Sequence, residues 1–170
     1  MGSEGGLDRP VLLNAEHDVS EFDGGTQSLN DFLQRFALEN QKGGRSRTYV
    51  AARHGRVVAC YSLAPAGVAP LDVPPRIAKG QGAQDIPVIL LARLAVNRHE
   101  QGRRIGSHML LDALRRAVEG AEVIGGRAVL VHAKDEQARA FYLRYGFEPS
   151  PTDGLHLLML MKDLRKTFGM

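Results

Sequence analysis

Apolar positions along the chain change period several times, and each change marks an element. VLLNAEH, opening at Val11, is a short apolar run that predicts an edge strand. SLNDFLQRFALENQKGG then sets Leu29, Phe32, Leu33, Phe36 and Ala37 at helical spacing. Ser28 is the expected cap, Asp31 suits the first turn and Gly43 is the stop, so an amphipathic helix is predicted. RTYVAARHGRVVACYSLAP reads as two β-rich runs joined at RHGR, a hairpin signal. VILLARLAV is a near-continuous apolar strand of the kind buried on both faces of a sheet. Beyond it Ile105, Met109, Leu110, Ala113, Leu114 and Ala117 form a helical stripe that runs to Val118. GGRAVLVHA returns to a strand, DEQARAFYLRYGF is a second amphipathic helix capped by Asp135 and closed by Gly146, and GLHLLMLMKDL supplies a last strand. This order predicts an α/β fold, a mixed central sheet flanked by helices.

Between these elements, PAGVAPLDVPPRIAKGQGAQDIP (65–87) gathers prolines and glycines into a stretch too long for a simple connector. A functional loop and a disordered insert explain it equally well. Length, 170 residues, suits a single domain over 1–170, with 1–10 expected to be flexible. No apolar run approaches the roughly 18 residues needed to span a bilayer, and MGSEGGLDRP lacks the plan of a signal peptide. A cytoplasmic protein without a membrane partner is expected. Met1 and Gly2 open like a myristoylation signal, but nothing polybasic follows. Cys60, the single cysteine, predicts a buried strand residue and removes both an internal disulfide and a zinc ligand set; no metal is expected. A net charge of +3 permits an anionic partner without demanding one.

Candidate chemistry concentrates in NRHEQGRRIGSHML, where the buried strand runs through a polar turn into a helix. Gly102 and Gly106 let backbone approach a ligand, and the free amides of a first helical turn suit a diphosphate. Arg103 and Arg104 could meet phosphate oxygens. The spacing is neither a dinucleotide fingerprint nor a Walker A loop. Taken alone, a phosphate loop and an ordinary helix start with solvated arginines both remain open.

DEQARAFYLRYGF adds a second feature, and with it the chain resembles the GNAT (Gcn5-related N-acetyltransferase) superfamily. The resemblance covers about Arg47 to Met161 and implies the acyl-CoA N-acyltransferase fold with acetyl-CoA as cofactor and coenzyme A as product. It implies that Leu94, Ala95 and Val96 receive the pantetheine arm and acetyl carbonyl. It assigns the pyrophosphate to Gln101, Gly102, Arg103, Arg104, Ile105, Gly106 and Ser107, and further cofactor contacts to Asp135, Ala138 and Phe141. Tyr142 is the implied catalytic acid at the cofactor sulfur; a packing face of Phe141, Tyr142 and Tyr145 is the alternative on residues alone. Two positions depart from the family pattern. Arg104 replaces its middle glycine, and Asp135 replaces an asparagine, keeping an acceptor but losing an amide donor.

FDGGTQSLNDFLQRFALENQKGGRSRTYVA together with RYGFEPSPTDGLHLLMLMKDL resembles, more narrowly, the GNAT toxins of bacterial toxin–antitoxin modules. Those enzymes acetylate the α-amino group of aminoacyl-tRNA and block translation. Gly24 or Gly25 stands where the family often has cysteine, and the arginine-rich phosphate loop is a familiar subfamily form. The resemblance implies aminoacyl-tRNA as substrate, a ribbon-helix-helix antitoxin, a homodimer, and DNA contact only through the antitoxin complex. An enzyme of protein N-termini or small amines, and a catalytically weak protein that acts by binding its antitoxin, are the competing expectations. The chemistry fits the first: an ester beside an α-amine lowers its pKa below the usual 7.7–8.0, so no strong carboxylate base is required. Positioning and stabilisation of the departing thiolate are the remaining demands. For phosphate contacts the candidates are Arg45, Arg47, Arg53, Arg98 and Arg139, with Arg56 and Arg144 nearby in sequence. His99 and His132 are read as surface or packing residues.

Overall fold

The computed structural model describes residues 6–170. Seven strands, β1 (Val11–Leu12), β2 (Arg47–Arg53), β3 (Arg56–Val68), β4 (Ile86–Val96), β5 (Ala128–His132), β6 (Glu148–Pro149) and β7 (His156–Leu160), form one mixed sheet. Their order is β1-β2-β3-β4-β5-β7-β6. The β4–β5 pair is parallel, running from Val88 opposite Ala128 to Leu91 opposite Val131, while β5–β7 and β6–β7 are antiparallel. Among the described residues, five α-helical segments lie between strands, α1 (Gln27–Asp31), α2 (Ala37–Lys42), α3 (Pro75–Ala78), α4 (Ile105–Ile124) and α5 (Glu136–Arg144), and α6 (Met161–Thr167) follows the last one. The expected mixed sheet flanked by helices is therefore present. Among the described residues, no helix is long and apolar enough to cross a membrane.

The chain divides into two compact units, the described part of Met1–Ala64 with Ala92–Ala113, and Pro65–Leu91 with Leu114–Met170. In the first, β2 and β3 form the predicted hairpin. His54 and Gly55 both take positive φ (54° and 81°), as a two-residue turn compatible with strand twist requires. Its core joins Phe22, Phe32, Leu33, Val50, Val57, Cys60 and Ala95. In the second, Ile77, Ile86, Val88, Leu130, Leu158 and Leu160 pack together.

Several elements differ from the sequence reading. The first helix is capped by Thr26, whose hydroxyl accepts from the Leu29 amide at 3.3 Å, and not by Ser28, which lies inside it. A π-helical turn, Phe32–Phe36, separates α1 from α2. Residues 65–87 do not form a long loop: Pro65 to Val68 extend β3, Pro75–Ala78 is helical and Ile86 opens β4. The prolines start that helix, and Arg127 holds its end by donating to the Ile77, Arg76 and Lys79 carbonyls at 2.9, 3.1 and 3.3 Å. Arg76 in turn pairs with Glu148 at 2.6 Å and Asp163 at 3.0 Å. The last strand stops at Leu160, and Met161–Thr167 turns into α6. Of the start expected to be flexible, residues 1–5, including Met1 and Gly2, lie outside the described residues. Leu7 bridges to Arg53, and the Asp8 amide donates to Ala52 at 2.8 Å, which ties this part to β2.

Candidate active site

In the first unit, β4 delivers Leu94, Ala95 and Val96 to the edge of the polar turn. Ala95 is buried in the core, whereas Leu94 and Val96 stay half-buried. Asn97 accepts from the His99 amide and donates its own amide to Val58 at 2.7 Å, ending the strand. Gln101 then reaches back, its side-chain amide donating to the Val96 carbonyl at 3.1 Å. Gly102 takes φ +86° and Arg104 φ +63°, so the chain reverses in two left-handed steps before Ile105 opens α4. Gly106 lies against the strand: a Cβ there would meet Val96 Cγ2 at 3.7 Å. Strand end, loop and first helical turn thus form one local cradle. Its amides have no intrahelical acceptor, and the positive end of a 20-residue helix lies behind them.

The two loop arginines differ. Arg103 donates to Glu100 at 3.2 Å, and the same Glu100 oxygen accepts from Arg53 at 3.0 Å. Arg104 is exposed and, among the described residues, pairs with no carboxylate. An oxygen-rich anion would therefore find backbone amides and one uncommitted guanidinium, a donor set that suits a pyrophosphate.

In the second unit, α5 carries the other predicted residues. Asp135 is its N-cap, accepting from the Ala138 amide at 2.8 Å, so its carboxylate is used in the helix start as expected. Tyr145 ends the helix and Gly146 follows at φ +95°. Tyr142 is only 8% exposed and meets Phe141 and Phe147 edge-on at 5.2 and 5.4 Å. Burial pushes its hydroxyl up to about 12, so the phenol is neutral at any ordinary pH. That hydroxyl makes no hydrogen bond among the described residues, leaving its proton available.

The basic candidates separate by their partners. Arg45 and Arg47 are exposed, without a carboxylate partner among the described residues. Arg53 is held by Glu100, and Arg98 by Asp23 at 3.3 Å. Asp23 is itself held below the usual carboxylate range, chiefly by the Gly25 amide and then by Asn30. Arg139 donates to the Gly154 carbonyl at 2.7 Å, and Arg56 pairs with Glu21. A cavity of about 200 Å³ lined by Asp18, Glu21, Arg53, Arg56, His99 and Glu100 is accordingly mixed in charge. Among the described residues no group of histidines, cysteines or carboxylates could hold a metal. Cys60 is fully enclosed and its thiol is pushed up to about 12 by burial, which removes it from nucleophilic chemistry.

His132 stacks on His156 at 4.0 Å, and His156 faces Asp153 at 3.4 Å. Partial burial, then the neighbouring imidazole, holds His132 below the ordinary 6.5, with Asp153 opposing. At this position the unfolded chain therefore binds a proton more readily than the folded one, so the contribution of His132 to stability is complete above about pH 6.5 and is lost as acid is added. Melting curves at pH 7.5 and 5.5 should show a smaller acid-induced loss for His132→Gln than for the parent; an equal loss would place the acid sensitivity elsewhere.

The first unit thus offers backbone amides at the end of β4 and the start of α4, and the second carries a neutral, buried phenol on α5. Residues 44–149 match the acetyltransferase (GNAT) domain family, and the chain belongs to that family. It is 49% identical over 164 residues to a tRNA-acetylating toxin of Mycobacterium tuberculosis, covering 96% of this chain and 98% of the relative. A probable toxin TacT of Sinorhizobium fredii is 24% identical, with 90% of each chain covered. Among solved structures, AtaT complexed with acetyl-methionyl-tRNAfMet superposes with a TM-score of 0.87 at 25% identity, over 95% of this chain and 99% of AtaT. A mutant of KacT superposes with a TM-score of 0.88 at 24% identity, over 95% and 99% of the two chains, a likeness of fold.

Sequence reasoning missed Arg93 and the Glu100 bridge between Arg53 and Arg103. A lone charge inside VILLARLAV was the available signal for the first; the second needs the tertiary contact.

Proposed function

We propose that this protein is a toxin that transfers acetyl from acetyl-CoA to the α-amino group of aminoacyl-tRNA and so inhibits translation. The near full-length 49% identity to a tRNA-acetylating toxin carries this reading. The cradle geometry agrees with it: Gln101, Gly102, Gly106 and the first-turn amides of α4 hold the pyrophosphate, with Arg103 and Arg104 at its rim. Bound there, acetyl-CoA supplies an activated thioester. Backbone groups of Leu94, Ala95 and Val96 align the acetyl carbonyl, with Val96 N–H opposing the charge that grows on its oxygen. Ile105, Ser107, Ala138 and Phe141 shape the cofactor's surroundings, and Asp135 fixes the start of α5. Tyr142 protonates the departing sulfur. No residue need act as a strong base, because the amine of an aminoacyl ester is largely neutral near pH 7.

Arg45 and Arg47, whose charges are uncommitted, are the better candidates for tRNA phosphates; Arg53, Arg98 and Arg139 contribute as parts of local networks. An antitoxin of ribbon-helix-helix type, a homodimer, and DNA contact through the antitoxin complex complete the reading. For the antitoxin and DNA parts, support comes from similar solved assemblies, AtaTR bound with acetyl-CoA at 25% identity and a KacTA–DNA complex at 26%; the homodimer and the antitoxin's type are expectations of the family resemblance. The two compact units are read as one catalytic domain, since the family match runs through both.

The deciding experiment offers labelled acetyl-CoA with charged tRNA, deacylated tRNA and peptides bearing free N-termini. Label is expected on charged tRNA alone. Label confined to peptides would turn the assignment to an N-terminal or small-amine acetyltransferase, and no acetyl-CoA binding would leave a binding protein.

A further inference from the structure

Among the described residues, three non-glycine residues have positive φ. His54 lies in a hairpin turn and Arg104 in the cofactor loop, but Arg93, at φ +54°, lies inside a strand. A left-handed residue with a Cβ in a strand is unfavourable and persists only where its surroundings impose it. Here the Arg93 carbonyl accepts from the Cys60 thiol at 3.6 Å. The side chain lies over the ring of Phe32, with the guanidinium carbon 3.9 Å from the centroid. Phe32 is 5% exposed and begins the π-helical turn, itself an unusual element that recurs at functional sites. Two departures from regular structure therefore meet in one contact.

That contact leaves a planar cation presented in a defined pose. One face is on Phe32, the residue is exposed, and no carboxylate among the described residues pairs with it, unlike Arg53, Arg98 and Arg103. The next residue along the strand is Leu94, where the segment assigned to the acetyl group begins. A guanidinium with one face on an aromatic ring and the other open is suited to stack on a nucleobase. We propose that Arg93 is a substrate-binding residue whose open face stacks on the 3′-terminal base of the charged tRNA, holding the esterified amino acid beside the acetyl group. This deepens the tRNA-acetylation reading and rests on it. The inference separates recognition of the acceptor's last nucleotide from the general phosphate attraction assigned to Arg45 and Arg47.

The test compares charged tRNA, 2′(3′)-O-aminoacyl-adenosine and the methyl ester of the same amino acid, which lacks a base. Arg93→Gly is the first variant, because glycine takes the left-handed conformation without a Cβ penalty. Its KM for charged tRNA should rise about tenfold, the scale of one lost base stack. The preference for aminoacyl-adenosine over methyl ester should fall by a similar factor, while acetyl-CoA affinity and melting temperature hold. Arg93→Lys keeps the charge but not the plane and should be equally impaired. An unchanged KM and preference in Arg93→Gly, or full activity in Arg93→Lys, would overturn the stacking role while leaving tRNA acetylation intact. If the parent protein labels no charged tRNA, the acetylation reading itself fails and this inference falls with it.

Discussion

Tyr142→Phe is expected to slow acetyl transfer about a hundred- to ten-thousand-fold, the range of a lost general acid, with little change in melting temperature. Both halves follow from the side chain's setting. Its ring contacts with Phe141 and Phe147 survive in phenylalanine, and the hydroxyl has no protein partner among the described residues, so its removal orphans no buried group. The chemistry has no such spare part. The proton leaving the amine must end on sulfur as the N–C bond forms and the C–S bond breaks. With its hydroxyl pushed up to about 12, Tyr142 is a weaker acid than a thiol of roughly 8.5, so a free phenolate would be an uphill product. In the proposed mechanism the phenol would give its proton to sulfur as the amine's proton replaces it, a relay and not a net donation. The rate of transfer to charged tRNA should show no loss assignable to phenol ionisation below about pH 11, which tracks that raised value. Single-turnover rates and calorimetric acetyl-CoA affinity measured together decide the matter. A rate within about threefold of the parent would make Tyr142 a packing residue.

The elements that carry the site were legible because their signals are local. Asp135 and Gly146 bracket α5 through cap chemistry that involves only neighbours in sequence, and RHGR can close a two-residue hairpin wherever it lies. Thr26 displaced Ser28 as cap because both hydroxyls suit the role, and the choice depends on which amide is left open by tertiary packing. Residues 65–87 looked like loop because proline and glycine count against regular structure, yet a proline at the start of a helix costs nothing, and Arg127, far along the chain just before β5, supplies the missing C-terminal partner. GLHLLMLMKDL hid the junction at Leu160 because buried strand and buried helix are equally apolar. The arginines were the least legible group. Equal in sequence, they are sorted by carboxylates far along the chain: Glu100 takes Arg53 and Asp23 takes Arg98, while Arg93 is left on an aromatic ring.

Arg104→Glu is expected to weaken acetyl-CoA binding about ten- to hundredfold, the scale of losing a charge-assisted contact. Arg104→Gly should cost less and should raise the melting temperature slightly. The contrast rests on φ +63°, which explains why the family's usual residue here is glycine. Holding a Cβ in that conformation costs roughly 1–2 kcal/mol, and glycine removes the strain but gives the unfolded chain more freedom, so the net gain is below about 1 kcal/mol. This chain retains the strain and gains a guanidinium at the mouth of the cradle, exposed and free of carboxylate partners among the described residues. If that charge meets the pyrophosphate, the advantage of arginine over glycine must shrink as salt rises, because an exposed contact is screened within about 10 Å at 0.1 M. Titrations of acetyl-CoA into the parent, Arg104→Gly and Arg104→Glu at low and high salt measure this directly. Equal affinity of parent and glycine variant at low salt would show that the loop grips by backbone amides alone. Arg104 would then be strain without a binding return, and the loop's selectivity for a diphosphate would rest on Gly102, Gly106 and the start of α4.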